Sequence, residues 1–255
     1  MSQAESHPNW KSLYRVGGAA ALLAAGLEIA AALIGVISSY TWGPAPSTVI
    51  GFFTLLQNNR FLGLVDLGLF DIATMALLVP MFLAVYMALR RASASFMAIA
   101  TTLSLVGIGV YLATETAFSL LSLSSQYAAA TTDAQRSLFL AAGQAMLAEQ
   151  VGGGSGTGTY MAFFLIGVAG LIIATVMQRS NIFGKVTASV GILANGIIVA
   201  YYIGIACVSI PLATGILLFS ASGLIYLIWI ILIGLRLFQL AQGTAMATMA
   251  PKEVR

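Results

Sequence analysis

The stretch RFLGLVDLGLFDIATMALLVPMFLAVYMALRR, Arg60 to Arg91, decides how the rest of the chain is read. From Phe61 to Leu89 it is apolar and long enough to cross a bilayer, whose hydrocarbon core of about 30 Å needs about 20 residues of helix. Two acids, Asp66 and Asp71, lie inside that run, and it closes on the pair Arg90 and Arg91. Pro80 removes one backbone hydrogen bond and predicts a kink, which membrane helices tolerate.

The composition around this stretch points the same way. The chain is 60% hydrophobic and only 7% charged, with mean hydropathy +0.98. A soluble domain is about 25% charged, so these few charges cannot clothe a water-facing surface, and the lipid bilayer is the expected partner. Five further apolar runs, at about 16–38, 96–123, 160–177, 186–209 and 213–237, bring the count of expected spans to six. The first of them exceeds the roughly 7–15 residues of a signal-peptide core and reads as a span. The expected class is an all-α integral membrane protein, a single transmembrane domain over 1–255.

Two connections carry structure of their own. Residues 49–57, VIGFFTLLQ, are too short to span and fit an interfacial or re-entrant segment. In the long connection between spans three and four, Thr132, Asp133, Ala134 and Gln135 read as a capping box that starts a helix running to about Glu149. Leu138, Ala142, Ala145 and Met146 share one face of it, so an amphipathic helix resting on the membrane surface is expected. The run Gly152–Thr159 lacks the Lys and the strand-to-helix setting of a phosphate loop and reads as a flexible hinge.

Charge sets the orientation. Cytoplasmic loops carry excess Lys and Arg. With six spans, Lys11, Arg15, Arg90, Arg91, Arg179, Lys185, Arg236, Lys252 and Arg255 fall on one side, and only Arg60 and Arg136 on the other. Both termini are therefore expected in the cytoplasm. The net charge of +3 sits in short connections between apolar runs and gives no nucleic-acid signal.

Glu28, Asp66, Asp71 and Glu115 fall within the first three spans, and no Lys or Arg sits well inside any span to neutralise them. A charge at mid-membrane costs about 2.5–3.5 kcal/mol even on the lenient insertion scale. Such acids are protonated, face a wet cavity, or bind a cation. At about 1.5 Å per residue, Glu28 lies roughly 18 Å from the cytoplasmic end of span one and Asp71 roughly 15 Å from the outer end of span two. Both are then near the midplane, with Asp66 and Glu115 nearer the outer surface as an acidic entry. Asp66 and Asp71 point about 140° apart on one helix, so the expected pair is Glu28 with Asp71. The plainer alternative is that neutral carboxyls hydrogen-bond neighbouring helices and hold the bundle together, as Asn195 is also expected to do.

Several chemistries lack their residues. His7 is the only histidine and lies in the N-terminal tail, Cys207 is the only cysteine, and the three lysines lie outside the spans. No His-based nucleophile relay, no Cys/His metal spacing and no buried amine for a Schiff base is present. No cofactor and no enzymatic activity is expected.

Three stretches carry a resemblance: LLSLSSQYAAATTDAQRSLFLAAGQAML (Leu120–Leu147), VMQRSNIFGKVTASVGILAN (Val176–Asn195) and IYLIWIILIGLRLFQL (Ile225–Leu240). They resemble the bacterial multi-helix membrane proteins grouped as domain-of-unknown-function family 4386. The resemblance implies a bacterial inner-membrane protein and supplies no activity or site residue. Two functions stand out on the residues: a small proton- or cation-coupled carrier built on the intramembrane carboxylates, or an accessory or sensor protein whose outer loops bind a partner or lipid.

Overall fold

The computed structural model describes residues 10–150, 156–180, 182–208 and 211–243. Among them there is no strand, and the ten helices are α1 (Lys11–Trp42), α2 (Val49–Asn58), α3 (Arg60–Asp66), α4 (Leu69–Leu89), α5 (Ala94–Thr114), α6 (Ala117–Ala129), α7 (Asp133–Gln150), α8 (Thr157–Arg179), α9 (Lys185–Cys207) and α10 (Leu212–Gln242). Six segments are long and apolar enough to cross a membrane: one each on α1, α4, α8, α9 and α10, and one formed by α5 with α6. This makes the chain a multi-pass membrane protein.

The six long helices close a ring in chain order. α1 packs on α4, α4 on α5, α5 on α8, α8 on α9, α9 on α10, and α10 returns to α1. Each neighbour runs antiparallel to the last, so the basic residues at the helix ends gather at one end of the bundle. There Arg90 lies over the Trp10 ring at 5.5 Å, and Arg236 Nε donates to the Ile182 carbonyl at 2.6 Å.

Close approach is achieved by small residues. A Cβ on Gly17 of α1 would strike Ala84 and lie 2.9 Å from the carbonyl of Pro80, the proline inside α4. A Cβ on Gly107 of α5 would lie 2.8 Å from the Ala162 carbonyl of α8, whereas Gly109 faces open space. Lipid tails are as apolar as side chains, so packing rather than water exclusion drives membrane helices together, and small residues permit the needed contact. Asn195 differs from expectation. Its amide donates to the Gly191 carbonyl one turn back on α9 at 2.8 Å, not across to a neighbouring helix, while its side chain fills the space above Gly170 of α8.

The opposite end carries a cap made of α2, α3, α6 and α7. Thr48 Oγ1 accepts from the Gly51 N–H at 3.2 Å to start α2, and Asn59 Oδ1 accepts from the Leu62 N–H at 3.0 Å to start α3. Val49, Phe52, Phe53 and Leu56 of α2 pack with Ala117 and Leu120 of α6 and Leu147 of α7 into a core separate from that of the bundle. Ser124 Oγ donates to the Phe53 carbonyl at 3.1 Å, pinning α6 to α2. At the head of α7, Thr132 Oγ1 accepts from the Gln135 N–H at 3.2 Å while Gln135 Oε1 accepts from the Thr132 N–H at 3.3 Å. That reciprocal pair satisfies two of the donors a helix start leaves open. Of the Gly152–Thr159 hinge, residues 151–155 lie outside the described residues.

Candidate functional site

Two of the expected spans are interrupted, and the acids sit at the interruptions. The run 61–89 is not one helix. α3 ends at Asp66, Gly68 adopts φ +96, and α4 starts afresh at Leu69. A residue with a Cβ resists that left-handed backbone, which is why the break falls on glycine. The run 96–123 breaks likewise at Glu115, between α5 and α6. Glu115 Oε1 accepts from the N–H groups of Thr116 and Ala117 at 2.9 and 3.0 Å, so this carboxylate stands at the start of α6. Asp71 occupies the first turn of α4. Both acids therefore lie at helix N-termini, where the helix dipole and the free N–H groups favour negative charge.

The two breaks adjoin. A Cβ placed on Gly68 would lie 3.2 Å from Asp71 Oδ2, 3.7 Å from Glu115 Oε2 and 3.7 Å from the Tyr111 hydroxyl. Three oxygens from two interrupted segments thus converge on one point beside Gly68. Glu28 of α1 completes the group: its carboxyl hydrogen-bonds that of Asp71. Tyr111, in the last turn of α5, reaches the carboxyls of both Asp71 and Glu115. The buried hydroxyl of Tyr226, from α10, lies within electrostatic reach of Glu28.

The proton count follows from donor chemistry. Two carboxyls can hydrogen-bond each other only if one carries a proton, since an ionised carboxylate only accepts. Tyr111 has a single hydroxyl hydrogen, so it donates to Asp71 or to Glu115 at a given moment. The groups that act on Asp71 are two further carboxyls and a phenol, with no basic side chain among them. Like charges in so small a space disfavour full ionisation. Among the described residues, no three His, Cys, Asp or Glu side chains are disposed to hold a metal ion.

Of the four acids marked in the sequence, the structure brings Glu28, Asp71 and Glu115 together. Asp66 stands apart at the end of α3, half-buried, on the far side of the Gly68 break. Because α4 begins at Leu69, Asp71 lies two residues from that helix end, and about 27 Å from Leu89 by helical rise. Glu28 lies about 26 Å from the first residue of α1. The acid group therefore sits toward the capped end of the bundle. Tyr111, Tyr226 and Gly68 carry no mark in the sequence, because tyrosines and glycines are spread through every span.

Compared with known protein families, curated proteins and solved structures, the chain shows no match. The resemblance to family 4386 rests on the three stretches quoted above alone.

Proposed function

We propose that the protein is a small proton-coupled carrier of the bacterial inner membrane, with Asp71 and Glu28 as the exchangeable proton sites. Both termini lie in the cytoplasm on the charge asymmetry of the connections, which puts the capped end and the amphipathic α7 on the outer side. The observation that carries the reading is the hydrogen bond between the Asp71 and Glu28 carboxyls, beside two adjoining helix breaks. Interrupted membrane helices with polar groups at the break are a recurrent way of building transporter sites. Tyr111 passes its hydroxyl hydrogen between Asp71 and Glu115, and Glu115 faces the cap through which the site reaches the outer side. A proton arriving at Glu115 is relayed to the Asp71–Glu28 pair.

The accessory reading is favoured by one observation: Glu115 also serves as a helix start for α6. Infrared spectroscopy of the protein in liposomes between about pH 5 and 9 separates the two. For a carrier, a carboxyl band titrates in that window and is lost in Asp71→Asn or Glu28→Gln. If every carboxyl stays protonated throughout and both variants match the wild type, the acids are structural and the carrier reading falls.

A further inference from the structure

We infer that the acid group and the aromatic cluster beside it form one binding site, and that its ligand is a lipophilic organic cation whose charge replaces the proton shared by Asp71 and Glu28. The inference rests on the proposed role of those two residues as exchangeable proton sites, and it names the substrate class.

The aromatic cluster lies among α8, α9 and α10. Tyr201 and Tyr202 pack with rings 5.1 Å apart, Phe163 stacks on Tyr202 at 6.2 Å, and Phe219 meets Phe163 edge-on at 5.9 Å. Two tyrosines join this cluster to the acids. The Tyr111 ring meets Phe163 at 5.7 Å while its hydroxyl faces Asp71 and Glu115. Tyr226 packs against the same aromatic cluster while its hydroxyl lies in the field of Glu28.

Two buried hydroxyls in this region have no hydrogen-bond partner, that of Tyr202, whose residue is 0% exposed, and that of Tyr226. A buried hydroxyl without a partner is costly, and its oxygen can turn its lone pairs to a bound positive charge instead. The site so far has three carboxyls, a group of aromatic rings and two free hydroxyl oxygens, and no basic side chain acts on Asp71. Ring faces are negative and attract cations, most strongly away from water. Carboxylates do the same and also fix the charge at one end. An anion would meet repulsion from both. A small hydrated inorganic ion would gain nothing from the rings. A monovalent cation with an apolar body matches every part. Charge balances when the cation enters as the shared proton leaves: Asp71 and Glu28 are then both ionised beside one bound positive charge.

The test uses the full chain in lipid nanodiscs, titrated with tetraphenylphosphonium and referenced to empty nanodiscs. Saturable binding is expected, with protons released into a weakly buffered medium, and with affinity falling up to about tenfold per unit as pH is lowered. Triphenylphosphine oxide, of similar shape but uncharged, should not compete. Asp71→Asn should abolish proton release and weaken binding about tenfold, the scale of one lost charge contact. Phe163→Leu, which leaves the carboxyls in place, should weaken binding about fivefold while proton release persists. Binding no greater than to empty nanodiscs overturns the inference. So does binding that is indifferent to pH and shared by the neutral analogue. If the carboxyl bands titrate but the cation does not bind, the proton sites stand and the cation site falls.

Discussion

Where the backbones of the long helices approach most closely, the facing residues are small: Gly17 against Ala84, Gly18 against Gly234, Gly107 against Ala162, with larger side chains such as Trp229, Phe82 and Leu78 filling the spaces between. Under the cap they are large: Phe52, Phe53, Leu56, Leu120 and Leu147. The first region brings backbones together and the second fills space with side chains. Between lipid-facing helices there is no water to expel, so contact area and close fit must suffice. In the cap, α2, α3 and α6 are short, and bulky apolar side chains enclosed between the cap helices hold them together. The acid group sits where the two regimes join, with Glu28 and Asp71 on bundle helices and Glu115 at the start of a cap helix.

The sharpest way to break this contrast is Phe53→Ala. Phe53 is 1% exposed in the core of the cap, and truncating a buried phenylalanine costs about 3–5 kcal/mol. Hydrogen exchange should quicken across α2, α6 and α7 while α8 and α9 keep their protection. Equal loss in both regions would show one cooperative unit instead of two. Next in size is Gly107→Val, where the added side chain meets the Ala162 carbonyl. Overpacking of this kind costs about 1–3 kcal/mol, read as a lowered unfolding midpoint in detergent. Gly109→Val, two residues on and facing open space, is the control and should leave the midpoint nearly unchanged. The smallest effect belongs to Thr132→Ala, which removes the N-cap of α7. About 1 kcal/mol of local stability should be lost, visible as faster exchange in the first turn of α7 and nowhere in the bundle.

Much of this architecture was legible along the chain, and particular residues show where legibility ended. The six apolar runs stood out because burial in lipid demands an unbroken sum of apolar side chains, a property of local sequence. Thr132 and Gln135 are three residues apart, so their reciprocal hydrogen bonds were also readable. The pairing of Glu28 with Asp71 could be reasoned from their depths by helical rise and from the roughly 140° between Asp66 and Asp71 on one helix. Asp66 and Glu115 group together along the chain because both lie toward one end of their runs, yet the Gly68 break separates Asp66 from the group. Asn195 reads as a tie between helices, but its amide turns back to its own helix, since the second lone pair of the carbonyl one turn back is within reach.

The sequence by itself determined that the chain is helical, that it carries six runs long and apolar enough to cross a membrane, and that its basic residues cluster in alternate connections. Each of these is a sum over neighbours in the chain. The tertiary structure alone decided that the second and third spans break side by side, at Gly68 and Glu115, and that Tyr111 lies between their acids. The groups that meet the acids at these breaks, Glu28, Tyr111 and Tyr226, come from α1, α5 and α10, distant along the chain and close only once the ring has formed.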